Sequence, residues 1–179
     1  MRKGDWTQTF TGKQFWHFDP RPEEVELKDI AHSLANQCRF NGHCEKFYSV
    51  AQHSVLVSRI VKPEQALPAL LHDASETYTG DIVSPFKKFL PKEFKEIELN
   101  IEKAIFEHFG IKMENVDHVE IKRADNMALV TEFRDLWSNS IPKNFKEELS
   151  APHPEKIIPL SPEESEELFL KRFEELTRK

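Results

Sequence analysis

Two helical runs, broken at a proline and each carrying a histidine at the same distance from the break, constrain this chain more than any other feature. SVAQHSVLVSRIV (Ser49–Val61) and PEQALPALLHDASE (Pro63–Glu76) both read as helices, interrupted at Lys62-Pro63. His53 lies nine residues before Lys62 and His72 nine after Pro63. If the runs fold back antiparallel, a rise of roughly 1.5 Å per residue carries the chain about 14 Å down and 14 Å up again. The two imidazoles then sit at one level. Asp73 follows His72 directly, and Asp125 arrives in a later helical run, KRADNMALVTEF, after a gap long enough for a helix to cross and return. Two imidazoles with two carboxylates suit one divalent transition ion (Zn, Mn, Fe, Co or Ni) better than an ion with oxygen ligands alone.

The stretch HDASETYTGD adds Glu76 and Asp81 to His72 and Asp73, beside a small-residue turn. No other stretch concentrates so many metal-compatible and acid/base side chains. The segments FYSVAQHSVLVS, ALLHDASETYTGD and KRADNMALVTE resemble the first-histidine, His-Asp and final-aspartate segments of the HD-domain phosphohydrolase superfamily. More narrowly, they resemble its small bacterial and phage 5'-deoxynucleotidases and deoxynucleoside triphosphohydrolases. The likeness covers about Lys28 to Asp135.

The resemblance implies an all-α fold, a compact HD-domain helical bundle, with His53, His72, Asp73 and Asp125 holding one divalent ion. It implies that Glu76 handles the attacking water and that Asp81 helps hold the sugar or the water network. It places Arg39 against the phosphate and Phe40 against sugar or base, with phenylalanine where some relatives have tryptophan, and sets Pro85 and Lys87 at the pocket edge. The implied reaction is removal of phosphate from deoxynucleoside 5'-monophosphates. Release of triphosphate from a deoxynucleotide, and a nucleotide sensor without catalysis, stand as alternatives. The interval from His53 to the His-Asp pair is shorter than in relatives with longer connections, which implies an altered pocket rim. Relatives are often dimers, so a homodimer or higher homo-oligomer is allowed, as is Mg on the substrate phosphates.

The formal net charge of −6 excludes a general nucleic-acid groove, which needs a basic surplus. A small nucleotide needs only local cations. Lys122, one helical turn before Asp125, faces the same side and is the best placed of these by spacing. Two cysteines, Cys38 and Cys44, are too few for a disulfide framework and point to a reducing cytoplasm. No apolar run approaches a membrane span, and the N-terminus lacks the apolar stretch of a signal peptide.

The remaining pattern fits a single domain over residues 1–179, long enough to bury its own core. Trp6–Phe18 alternates around Gly12 as a short β-hairpin. A first helix is expected over about Glu23–Phe40, with Cys38 on its apolar stripe. Further helices are expected over Lys92–Phe109, ending at Gly110, and over Val116–Trp137. Ser138–Pro159 reads as a loop. Ser161-Pro162-Glu163-Glu164 then opens a final helix that buries Leu168, Phe169, Phe173 and Leu176.

Overall fold

Alternation around Gly12 produces the hairpin that the sequence calls for. In the computed structural model, which describes residues 2–138 and 151–178, strand β1 (Trp6–Gln8) pairs antiparallel with β2 (Gln14–Trp16), in the register Trp6 to Trp16. Gly12 takes φ 88° in the connecting turn, a conformation open to a residue without Cβ. Phe15 is fully buried and stacks on Tyr78, while Asp29 accepts hydrogen bonds from the Thr11 amide (2.7 Å) and hydroxyl (2.9 Å). Eight α-helices make up most of the remaining regular structure among the described residues. The expected loop between Ser138 and Pro159 lies outside the described residues over 139–150; its remainder, from 151, is irregular.

Helix α1 (Leu27–Asn36) is shorter at both ends than the expected Glu23–Phe40. Pro22 starts a separate 3-10 turn, Pro22–Glu24, and Val25 leaves it in extended conformation. At the other end Gln37 is extended, because Arg39 N–H donates to Tyr48 O (2.9 Å) and Val50 N–H to Gln37 O (3.1 Å). These cross-links replace helical bonds. Cys38 therefore lies in an extended link opposite Ser49 and not on the helix stripe. Phe40 and Asn41 follow at φ 56° and 52°, a left-handed geometry that costs about 1–2 kcal/mol per residue; here Phe40 packs against Trp137, and its carbonyl accepts from His43 N–H (3.0 Å).

Helix α2 (Val50–Ile60) matches its expected run, and the Ser49 side chain caps it by accepting from Gln52 N–H. The second arm differs. It opens as a 3-10 turn (Pro63–Gln65), continues as α3 (Ala66–Leu70) and stops before His72. His72 Nδ1 lies 2.8 Å from Ala69 O, the carbonyl that a continuing helix would have used for Asp73. From Leu71 the chain winds on through tighter turns, including Asp73 O to Glu76 N–H (3.0 Å), into α4 (Glu76–Thr79), which Gly80 ends at φ 80°. His72 and Asp73 thus occupy a tight bend at the end of the hairpin.

The short helix α5 (Ser84–Lys87) leads to α6 (Lys92–His108), then α7 (His118–Asp135), whose first amides are capped by Asp117. Helix α8 (Pro162–Thr177) begins with the expected capping box of Ser161 and Glu164. One core joins Ile30 and Leu34 of α1, Val55 of α2, Leu70, Ile105 of α6 and Phe169 of α8. A second clasps α7 against the hairpin through Val57, Ala66, Ala69, Ile121, Ala124 and Ala128. The alanines let α7 approach closely, and that approach brings Asp125 to His53. Arg172 fastens α8 to α2 by donating to Ser58 Oγ and Ser58 O, both at 3.1 Å.

Leu168, Phe173 and Leu176 pack against the cores as expected but are partly exposed, whereas Phe169 is wholly buried. Phe169→Ala should therefore lower unfolding stability by about 3–5 kcal/mol, read as a fall in the denaturant midpoint.

Candidate metal centre

His53 is fully buried on α2, and its Nδ1 lies 2.6 Å from Glu132 Oε1. His72 is turned by the Ala69 carbonyl. In each ring Nδ1 is engaged, and each Nε2 is buried with no hydrogen-bond partner among the described residues. Both face Asp73: its Oδ2 lies 3.5 Å from His53 Nε2 and 3.2 Å from His72 Nε2. Ligand-type atoms of His53, His72 and Asp73 all fall within 4.8 Å of one another. Asp125 joins from α7, with Oδ1 3.4 Å from His53 Nε2.

His53, His72 and Asp73 can hold a metal ion. Imidazoles whose Nδ1 is bound to a carboxylate or carbonyl present Nε2 as the ligating atom, in a fixed ring orientation. Buried ring nitrogens that face carboxylates at 3.2–3.5 Å are satisfied by a proton shared with them or by a cation held between them.

The electrostatics point the same way. Burial and the Arg39 charge push His53 down, but the carboxylates of Glu132 and Asp125 outweigh them and raise it to about 9. A divalent ion held at His53 Nε2 would have to displace that proton. Burial works against the charged forms of Asp73 and Asp125, yet the neighbouring histidines hold both well below the usual carboxylate range. Glu76 is opposite. Burial, reinforced by Asp73 and Asp81, raises it well above its ordinary value, and its Oε2 is buried with no hydrogen-bond partner among the described residues. Asp81 is raised too, chiefly by burial.

Gln37 fixes the turn that carries these two carboxylates. Its amide donates to Glu76 O (3.0 Å), and its carbonyl accepts from Asp81 N–H (2.9 Å). Arg39 lies at the same centre, 3.7 Å from Asp73 Oδ2 and 3.2 Å from Glu132 Oε2. Its Nε is buried with no hydrogen-bond partner among the described residues.

Other site residues read from the sequence stand further back. Lys122 pairs with Asp125 Oδ2 at 2.7 Å and is otherwise open to solvent. Lys87 pairs with Glu98 at 2.7 Å. Phe40 packs edge-on against Trp137 (4.9 Å between ring centroids), with the Arg39 guanidinium 5.0 Å from its own ring. Pro85 is exposed on α5.

The sequence reading missed Glu132. It is fully buried and holds both His53 and Arg39. Its signal was present, since it lies seven residues after Asp125 and so on the same face of α7 two turns on.

No protein-family model matches the sequence. An uncharacterized protein of Rhodobacter capsulatus is 35% identical over 118 residues, covering 61% of this chain and 60% of that protein. The uncharacterized protein YfdR of Escherichia coli (strain K12) is 40% identical over 173 residues, covering 95% of this chain and 94% of that protein. On that near full-length identity, the chain belongs to the family of YfdR.

Proposed function

We propose that this chain is a metal-dependent phosphohydrolase of the HD type that removes phosphate from deoxynucleoside 5'-monophosphates. The observation that carries the reading is that the buried Nε2 atoms of His53 and His72, with no hydrogen-bond partner among the described residues, converge on Asp73. An arginine and a buried carboxylate of raised pKa lie at the same centre. His53, His72, Asp73 and Asp125 would hold one divalent ion, with Mn, Co, Zn, Fe and Ni all compatible with the donors. When bound, the ion supplies positive charge opposite a phosphate oxygen and acidifies water in its shell. Glu76 accepts the proton of the attacking water; burial and the charges of Asp73 and Asp81 raise its pKa, which makes its carboxylate a stronger base. Arg39 Nε donates to a phosphate oxygen and offsets the charge that builds there. Asp81, a carboxylate repelled by phosphate, accepts from a sugar hydroxyl.

Monophosphate is favoured over triphosphate by the pairing of the outlying cations. Lys87 and Lys122, which a longer phosphate chain would need, are engaged by Glu98 and Asp125. The test is to load the metal-free protein with Mn, Co, Zn or Mg, supply each deoxynucleoside mono- and triphosphate, and resolve the products. Nucleoside plus orthophosphate from a monophosphate is expected. Intact triphosphate would move the assignment to a triphosphohydrolase, and tight metal and nucleotide binding without turnover would leave a nucleotide sensor.

A further inference from the structure

Behind the turn that carries Glu76 and Asp81 lies a cavity of about 430 Å³, between the hairpin, α1 and α4. That volume is within the range of small-molecule sites, about 300–1,000 Å³. The metal ligands do not line it, but Gln37 does. We propose that this cavity binds a nucleoside, and that the occupied cavity slows the metal centre through Gln37.

The lining selects the ligand class. Among the described residues it has no lysine or arginine. Its carboxylate, Asp29, is buried with both oxygens bonded to Thr11, and His32 is bound through Nδ1 to Glu166 at 2.9 Å. Burial lowers His17, which keeps that ring neutral. A wall without free positive charge rejects phosphate and accepts neutral molecules.

What it offers is a platform and hydrogen bonds. Phe10 stacks on His32 with centroids 3.7 Å apart and planes 11° from parallel, yet remains 60% exposed. An exposed aromatic face is suited to a flat heterocycle. The Gln8 side-chain amide can pair with the donor and acceptor edge of a base, and Asn36, whose Nδ2 donates to His32 O (2.8 Å), still offers its carbonyl oxygen as an acceptor. Thr77 and Tyr78, on the same wall, carry buried hydroxyls with no hydrogen-bond partner among the described residues. Base and sugar together meet these features, whereas a nucleotide would bring a charge with nothing to balance it.

The coupling route is short. Ser33 Oγ accepts from the Gln37 amide (3.0 Å) and donates to Thr77 O (3.2 Å), and the same Gln37 holds Glu76 O and Asp81 N–H. A ligand that draws on the Gln37 or Ser33 hydrogen bonds shifts the support of the turn that presents Glu76. A nucleoside is also the product of the reaction proposed above. Its part as a feedback ligand rests on that reading, whereas its binding does not.

The experiment titrates deoxyadenosine and thymidine into the Mn-loaded protein by calorimetry, with and without saturating orthophosphate, and repeats the titration with Phe10→Ala, Asn36→Ala and Arg39→Ala. Binding that survives orthophosphate and Arg39→Ala, and weakens about tenfold with Phe10→Ala through lost stacking, supports the cavity. A nucleoside that also lowers kcat without raising KM supports the coupling. Binding lost with Arg39→Ala and unaffected by Phe10→Ala would place the nucleoside at the metal centre and overturn the proposal, as would no binding at all. Binding is read without turnover, so failure of the phosphohydrolase reading leaves a distinct result: Phe10-dependent nucleoside binding on an inactive protein.

Discussion

Glu76→Gln should lower kcat by about 10²–10⁴-fold, the range for losing a positioned proton acceptor, while divalent-ion affinity stays unchanged. The asymmetry follows from position. Glu76 is not among the ligand atoms that converge on His53, His72 and Asp73, yet it is buried beside their turn with one oxygen free of hydrogen bonds among the described residues. His72→Ala gives the opposite signature, losing the ion and the rate together. Glutamine should also stabilise the metal-free protein. The Glu76 pKa is raised in the folded state by burial and by the charges of Asp73 and Asp81, so ionising it costs stability as pH rises above its unfolded value, about 4.3. The variant escapes that cost at neutral pH, and the difference vanishes below about pH 4. Metal titration, steady-state kinetics and denaturant unfolding at two pH values check all three statements. A fully active Glu76→Gln with its ion bound would remove Glu76 from the chemistry.

The hairpin of α2 and α3 was legible because its information is local: a proline break, a serine cap and two apolar arms. Counting residues on either side of Pro63 placed His53 and His72 together, and their rings lie 5.4 Å apart. The same reasoning misjudged the second arm as one helix. What stops that helix is the His72 imidazole taking the Ala69 carbonyl, a choice of side-chain rotamer that periodicity does not register. The first helix was overextended for a related reason. Gln37 and Arg39 have ordinary helix propensity, and only pairing with Tyr48 and Val50, distant in sequence, draws them into extended backbone.

For the site, the convergence of His53, His72 and Asp73 was readable because it follows from helix geometry about the Pro63 break. Charge pairing was not readable. Lys122 was placed on the correct face of α7, but its partner turned out to be Asp125 itself, and Lys87 is held by Glu98 on α6. Glu132 escaped because a lone glutamate on a charged helix looks like a solvated residue. Only the fold shows that it faces inward with no exposure.

Glu132→Gln should weaken divalent-ion affinity by about 10–100-fold, the usual effect of removing a carboxylate behind a metal-binding histidine, and should cost stability as well. The 2.6 Å contact sets the direction in which His53 presents Nε2, and the 3.2 Å contact holds the Arg39 guanidinium. A neutral amide retains one acceptor oxygen but leaves the buried Arg39 charge, among the described residues, with the more distant Asp73 (3.7 Å) as its remaining ion-pair partner. Breaking a buried pair from one side costs about 3–5 kcal/mol; the introduced amide would keep part of that through its oxygen, so the lower end is expected. The pH dependence separates this from a packing defect. Burial opposes the charge of Glu132, but Arg39 and His53 outweigh it and lower its pKa, so its stabilisation is present above the unfolded value, about 4.3, and is lost as pH falls through the lower folded value. The variant should therefore lose its stability deficit in acid, whereas a cavity would persist at every pH. Denaturant midpoints at pH 7 and pH 3, set beside metal titrations at pH 7, read both effects. Equal midpoints and equal metal affinity for the two proteins at pH 7 would show that His53 and Arg39 hold their places without Glu132.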